Sequence, residues 1–154
     1  MLSDKEIQKI NTELARAVTK QSVAIDALNI VQRHQGWVND ESLKDVAQML
    51  DMTPDELDAV ATFYSFIFRK PVGRHVILVC DSISCWVMGH NPLLVYLKTN
   101  LGIRFGETTE DWRFTLLPIS CLGACDRAPN IMVDNDLYGP VTPEMMEKIL
   151  GKYP

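Results

Sequence analysis

Two close pairs of cysteines constrain this chain more than any other feature of its sequence. Cys80 and Cys85 form a C-x4-C pair, Cys121 and Cys125 form a C-x3-C pair, and there is no other cysteine. Because 35 residues separate Cys85 from Cys121, only folding can bring the two pairs together. Four thiolates grouped in this way are able to hold one metal centre, so we expect the fold to present them at one place.

Three kinds of cysteine chemistry compete: disulfides, a structural zinc site and a [2Fe–2S] cluster. The polar residues 1–6 lack the apolar segment of a secretory signal, so we expect reduced thiols, which more often bind metals or act in catalysis. Zinc knuckles favour C-x2-C spacing, which neither pair has, and the C-x-x-C motif of thioredoxin-type redox chemistry is also absent. The longer spacings favour a two-iron cluster over one zinc ion, although they do not match plant-type ferredoxins.

Length, hydropathy and charge limit the class of protein. The chain has 154 residues, 47% of them hydrophobic, which suffices for one ordinary domain or for a small domain with a helical extension. No apolar stretch approaches the roughly 18 residues that span a bilayer, so we expect no direct membrane insertion. The formal net charge of −5 argues against a nucleic-acid partner. Because no dinucleotide fingerprint, phosphate loop or nucleophile–base set is visible, an electron carrier of this kind would depend on partners.

The first half of the sequence predicts four helices. Apolar residues at helical spacing run from Ile7 to Ala17, Val23 to Val31, Leu43 to Leu50 and Leu57 to Tyr64. Ser3 with Glu6 fits a capping box, Gly36 is suited to end the second helix, and Thr53-Pro54 is a typical helix start. Three acidic residues in the first turns of the fourth helix argue against a DNA-reading helix-turn-helix.

Composition changes at residues 69–74, where basic residues surround a proline and a glycine. This change predicts a boundary, with a helical unit at residues 1–70 and a second unit at residues 71–154. Four aromatic residues shortly before the boundary are expected to pack in the core and at an interface: Phe63, Tyr64, Phe66 and Phe68.

The second half changes to alternating strands and helices, so the fold class is α+β. The predicted strands are His75–Cys80, Phe114–Ile119, Ile131–Val133 and a short hairpin partner at 137–139, and the predicted helices are 93–101 and 142–150. The order favours one sheet with helices packed against it. Cys80 ends the first strand and Cys121 follows the second. If these strands are neighbours, both cysteine loops open at the same edge of the sheet.

Several residues near the cysteines have two interpretations. Ser82, Ser84, Gly123 and Ala124 are small enough to let backbone N–H groups approach cluster sulfurs, but the Gly123-Ala124 pair is equally typical of a plain turn. Arg127 is able to offset an anionic centre or to lie on the surface. Among the three histidines, His90 is a Rieske-like ligand candidate that four cysteines make unnecessary, and His75 is expected to play a positional role.

The sequence also resembles a known family, on five stretches that together extend over roughly residues 7–150. They are Ala27–Val38 (A-L-N-I-V-Q-R-H-Q-G-W-V), Val60–Ser65 (V-A-T-F-Y-S), Pro71–Ile77 (P-V-G-R-H-V-I), Cys80–Cys85 (C-D-S-I-S-C) and Arg113–Cys125 (R-F-T-L-L-P-I-S-C-L-G-A-C). These motifs resemble the small thioredoxin-like [2Fe–2S] subunit in the NADH dehydrogenase module of respiratory NADH:quinone oxidoreductase, complex I. Related subunits occur in NAD-linked hydrogenases and formate dehydrogenases.

The resemblance implies a fold, a cofactor and a partner. The fold would be an N-terminal helical bundle at residues 1–70 followed by a thioredoxin-like [2Fe–2S] ferredoxin domain at residues 71–154. Cys80, Cys85, Cys121 and Cys125 would be the cluster ligands. Ser120 stands where some relatives carry a further cysteine, so no thiol competes with these four.

The resemblance also implies how such a subunit works. It would act within an oxidoreductase as an electron-transfer subunit without a complete catalytic site of its own. The partner would be the flavoprotein subunit that binds NADH and FMN, on the cytoplasmic face of a bacterial inner membrane. The alternatives are the equivalent subunit of a soluble NAD-linked hydrogenase or formate dehydrogenase, or, in another class, a zinc-stapled interaction module.

Overall fold

The computed structural model describes residues 1–154 and divides them into two compact units, Met1–Pro71 and Val72–Pro154. The first unit is helical, and the second combines a four-stranded sheet with helices. None of the helices is both long enough and apolar enough to cross a lipid bilayer.

The first unit contains the four predicted helices and one additional 3₁₀ turn. The helices are α1 (Asp4–Leu14), α2 (Ala24–Gln35), α3 (Asp40–Met49) and α4 (Pro54–Phe63), and the 3₁₀ turn is Lys20–Val23. Their apolar faces meet in one core around fully buried Leu28, Val31 and Leu57. The helical spacing of the sequence therefore identified the faces that pack together.

The predicted helix ends are confirmed. Ser3 and Glu6 form a capping box on α1, Thr53 and Glu56 form a second one on α4, and Gly36 ends α2 with a φ of 84°. The two boxes differ in burial, because Glu6 is 2% exposed whereas Glu56 lies at the surface.

Glu6 is held by donors from two elements. Its carboxylate accepts hydrogen bonds from Ser3 N (2.7 Å), Ser3 Oγ (2.6 Å) and Gln35 Nε2 (2.8 Å). Burial acts to raise the pKa of the Glu6 carboxyl, but these hydrogen bonds together outweigh it, so the pKa lies below its ordinary value.

The aromatic residues at the end of α4 and just after it do not fill the core as expected. Phe63, Tyr64 and Phe66 are substantially exposed, so the expectation that they fill the core is wrong for these three. The backbone beside them is nevertheless well held, because Gln32 donates to Phe66 O (2.7 Å) and accepts from Phe68 N (2.6 Å). Two hydrogen bonds from α2 thus fix a segment whose rings face solvent.

The second unit is built on a mixed sheet with strand order β2-β1-β3-β4. The strands are β1 (His75–Cys80), β2 (Phe114–Ile119), β3 (Ile131–Val133) and β4 (Asp136–Tyr138), and the helices are α5 (Ile83–Met88), α6 (His90–Leu101) and α7 (Pro143–Leu150). A second 3₁₀ turn covers Cys125–Arg127. All four predicted strands are confirmed, and α5 is the one helix that sequence periodicity did not indicate.

The two strands that precede the cysteine loops are neighbours. β1 and β2 are parallel, with His75 opposite Phe114 and Cys80 opposite Ile119. Both strands therefore end at the same edge of the sheet, where Asp81 N donates to Ile119 O (2.8 Å). The antiparallel pairing of β1 with β3 brings residues before Ile131 to this edge as well.

The C-terminal segment is fastened to the second unit by a tyrosine network. Tyr153 Oη donates to Asp136 Oδ2 (2.6 Å) and hydrogen-bonds to Tyr138 Oη (2.7 Å), and Arg113 Nε donates to Tyr153 O (2.7 Å). Burial, followed by the hydrogen bonds to Asp136 and Tyr138, raises the pKa of the Tyr153 phenol above its ordinary value.

Candidate metal centre

The first cysteine pair lies in the buried part of the site. Cys80 is the last residue of β1 and Cys85 lies in the middle of α5, and both are almost completely buried. Their thiols interact directly and form a small cluster with Ala128. Helix α5 is what brings the two together, because it turns the chain back after Ser82 and points Cys85 inward.

The environment of Cys80 favours a thiolate. Burial acts to raise the pKa of its thiol, but hydrogen bonds from the backbones of Ser82 and Leu122, and from Cys85, outweigh it and leave the pKa below its ordinary value. Leu122 belongs to the C-x3-C segment, so a backbone group of the second pair already points at a sulfur of the first.

Cys85 has the opposite tendency. Burial raises the pKa of the Cys85 thiol, a hydrogen bond from the Asn130 backbone offsets part of this, and the neighbouring Cys80 raises it further. The pKa values of the two thiols are thus shifted in opposite directions, which is the expected result when two acidic groups interact at close range.

The second cysteine pair lies at the surface. Cys121 and Cys125 are exposed, in the segment that leaves β2 and enters the 3₁₀ turn. Gly123 has a φ of 74°, as expected for the tight loop, and its backbone N–H donates to Cys121 Sγ (3.3 Å). The small residue between the cysteines therefore brings a backbone donor to sulfur.

The structure brings Cys80 and Cys85 into contact, and it carries Cys121 and Cys125 on a loop at the same edge of the sheet. It does not place three or more His, Cys, Asp or Glu side chains in a group that could hold a metal ion. The four-cysteine ligand set therefore stays a prediction, and its fit has to be judged from the donors around the sulfurs.

The donors around these sulfurs fit an iron–sulfur cluster. Backbone N–H groups point at Cys80 and Cys121, and the buried Ser82 hydroxyl has no hydrogen-bond partner of good geometry although it faces both buried thiols. An unpartnered buried hydroxyl is costly unless something accepts from it. A metal-bound thiolate or a cluster sulfur would be such an acceptor, so the hydroxyl fits a metal centre held by these cysteines.

The sequence did not predict that two buried polar residues, His90 and Asn130, support the site. His90 is 4% exposed, and its Nδ1 donates to Cys80 O (3.0 Å), so it supports the strand end and is not needed as a ligand. Asn130 is 1% exposed and donates from Nδ2 to Ala124 O (2.7 Å) and toward Cys85 Sγ (3.7 Å). The one signal for Asn130 in the sequence is its position, a polar residue directly before the apolar strand β3.

The remaining candidates lie apart from the thiols or at the surface. Arg127 is half exposed, and its nearest acid is Asp126 at 3.9 Å from Nε, so its surface interpretation is the better supported one. His75 packs against Tyr153 and contacts Asp134 through Nδ1 (2.7 Å), in keeping with a positional role.

Comparison with known proteins gives a consistent result over nearly the whole chain. Residues 7–154 match the family model described as thioredoxin-like [2Fe-2S] ferredoxin. The chain is 43% identical over 152 residues to the NADH-quinone oxidoreductase subunit designated E in Buchnera aphidicola, covering 99% of this chain and 94% of the relative. It is 44% identical over 153 residues to the subunit of the same name in Pseudomonas aeruginosa, covering 99% and 92%.

A solved structure shares the fold. The crystal structure of an NAD+-reducing [NiFe]-hydrogenase in the air-oxidized state matches with a TM-score of 0.73 at 22% sequence identity. The match covers 85% of this chain but only 22% of that hydrogenase chain. At this level of identity the similarity is one of fold.

Proposed function

Because this chain belongs to the thioredoxin-like [2Fe–2S] ferredoxin family, we propose that it is the small electron-transfer subunit of a bacterial NADH:quinone oxidoreductase. It carries one [2Fe–2S] cluster, held by Cys80, Cys85, Cys121 and Cys125. The observation that carries this proposal is that Cys80 ends β1 and Cys121 lies just past the end of the neighbouring parallel strand β2, so both cysteine pairs start at the same edge of the sheet.

The chain's own residues have three tasks in this function. Bound to the four thiolates, a [2Fe–2S] cluster takes up one electron and gives it back. The backbone donors of Leu122 and Gly123 stabilise negative charge on the sulfurs, while the buried Cys80–Cys85 pair keeps water from one side. The exposed second pair leaves the other side open to an electron partner.

An exposed apolar surface beside the cysteines supports a protein partner. On α5, Ile83, Trp86, Val87 and Met88 are all largely exposed, with Val87 at 68%. Contiguous apolar residues on a surface typically mark a site of protein association. We take the partner to be the flavoprotein subunit that binds NADH and FMN, which would hold this chain peripherally at the cytoplasmic face of the inner membrane.

The cluster is tested by metal analysis of anaerobically purified protein, with EPR after dithionite reduction. We expect two irons, two sulfides and an S = 1/2 signal. Changing any one of the four cysteines to serine should lose or alter that signal, whereas Ser120→Ala, in the same loop, should keep it. One zinc without a signal would refute the cluster and support the zinc-stapled module.

The partner is tested by association with the flavoprotein subunit of the same complex. Val87→Asp places a charge in the α5 surface and should weaken association at least tenfold, measured by isothermal titration. Val18→Asp is the matched control, because Val18 is 99% exposed in the helical unit. Equal binding by wild type and the Val87→Asp variant would exclude this surface, and preferential binding to a hydrogenase or formate dehydrogenase subunit would favour that host.

A further inference from the structure

Asn130 connects all the segments that carry the cysteines. Its backbone carbonyl accepts a hydrogen bond from Cys80 N (3.1 Å), at the end of β1. Its side-chain Nδ2 donates to Ala124 O (2.7 Å), directly before Cys125, and also points at Cys85 Sγ (3.7 Å). One residue therefore ties the first cysteine pair to the loop of the second.

The Ala124 carbonyl determines the orientation of the Asn130 amide, whose Oδ1 is buried without a hydrogen-bond partner. The atom that lies 2.7 Å from the Ala124 carbonyl must be the nitrogen, because two acceptor oxygens at that distance would repel. The same Ala124 oxygen accepts from Arg127 N (3.0 Å), which anchors the 3₁₀ turn that begins at Cys125. With the amide held in this way, Nδ2 presents its second hydrogen to Cys85.

We propose that Asn130 is a positioning residue that fixes the two cysteine loops relative to each other and raises the reduction potential of the cluster through its Nδ2–H donor to Cys85 Sγ. This inference rests on the proposed function. An added electron increases the negative charge on the sulfurs, so a donor hydrogen bond stabilises the reduced form more than the oxidised form. The backbone contacts of residue 130 do not depend on its side chain and should survive substitution.

The test measures the potential of variants at residue 130 in the full-length, cluster-loaded protein. Asn130→Ala should lower the equilibrium constant for one-electron reduction by about three- to tenfold, which is about 30 to 60 mV. Asn130→Asp keeps the shape of the side chain but places an oxygen where the donor was, so its potential should fall at least as far. The aspartate variant still tests the effect on the potential if the alanine variant does not fold.

Thr115→Val is the matched control for a general loss of stability. Thr115 is 2% exposed in the same unit, and its side chain accepts from Gly73 N (2.6 Å) and hydrogen-bonds to Thr108 Oγ1 (2.7 Å). Its valine variant should be less stable than wild type and yet keep the wild-type potential and EPR spectrum. Unchanged potentials in both Asn130 variants with two irons bound would overturn the proposal.

A second measurement decides the positioning role without a cluster. In cluster-free protein, Asn130→Ala should expose the otherwise buried Cys85 and increase the rate of its alkylation by iodoacetamide at least threefold. Mass spectrometry measures this rate, and Thr115→Val should leave it unchanged. No increase at Cys85 would refute the positioning role. If wild type binds no iron, the proposed function fails, and this measurement still decides whether Asn130 positions the thiol.

Discussion

Gly139→Ala is expected to disrupt the cysteine site from the opposite side of Asn130. Gly139 follows β4, and a Cβ added there would lie 1.9 Å from Asn130 Oδ1 and 2.4 Å from Arg127 O. Cβ atoms essentially never approach other atoms closer than 3.0 Å, so the amide must move by about 1 Å or more. The second clash is with backbone, which cannot rotate away.

The cost can be worked out from these two contacts. Overpacking a buried position costs about 1–3 kcal/mol. Displacing the Asn130 amide from Ala124 O deprives the buried Nδ2 group of that hydrogen bond, which costs about 1–3 kcal/mol more. We therefore expect Gly139→Ala to lower the free energy of unfolding of the second unit by about 2–6 kcal/mol, a large part of the 5–15 kcal/mol typical of whole domains.

Gly102→Ala is the matched control. Gly102 has a φ of 67° but open space where a Cβ would go, so its variant bears backbone strain alone, about 1 kcal/mol. Urea unfolding of cluster-free protein measures the cost, and iron content after reconstitution measures the site. The Gly139 variant should lose stability and most of its iron, and the Gly102 variant should keep its iron. Equal stability and equal iron in the two variants would refute the reasoning.

Three further outcomes are expected. Glu6→Gln should destabilise the helical unit by about 2 kcal/mol in urea unfolding at pH 7, and the exposed Glu56→Gln should have a smaller effect. Because the native pKa of Glu6 is lowered, the extra stability of the wild-type protein over the glutamine variant is fully present above pH 4.5, the ordinary pKa of a glutamate. It is lost as the pH falls through the native pKa. In cluster-free protein, iodoacetamide should modify the exposed C-x3-C pair before the buried C-x4-C pair; the reverse order by mass spectrometry would contradict the structure. Tyr153→Phe should lower the free energy of unfolding by about 1 kcal/mol. Because the native pKa of Tyr153 is raised, the wild-type protein should lose stability as the pH rises above 10. Urea unfolding of both proteins at pH about 8 and at pH about 11 measures this loss.

Local sequence patterns predicted most of the fold. Capping residues and helical spacing gave the four helices of the first unit, and short runs of β-branched and apolar residues gave the four strands of the second. These signals are readable because each depends on residues within a few positions of one another. The helix α5 escaped prediction because it is only 6 residues long and four of its apolar residues are exposed to solvent.

The aromatic residues at the end of α4 and just after it show where such patterns mislead. They were expected to pack in the core and at an interface, and the core part of that expectation is wrong for Phe63, Tyr64 and Phe66, which are exposed. Apolar character alone does not fix burial, because much of the accessible surface of a folded protein is itself apolar. Burial at these positions depends on neighbours that lie far away in the sequence.

Residue identity and local spacing were enough to single out the four cysteines and to order the helices and strands other than α5, and the resemblance of five sequence stretches indicated the family. The three-dimensional fold was needed to learn that Cys80 and Cys85 are buried while Cys121 and Cys125 are exposed. It was also needed to learn that Asn130 links their loops and that Gly139 has no room for a side chain. The physical reason is that burial and hydrogen bonding at the site depend on the pairing of β1 with β2 and β3. The spacing of residues along the chain does not reveal these long-range contacts.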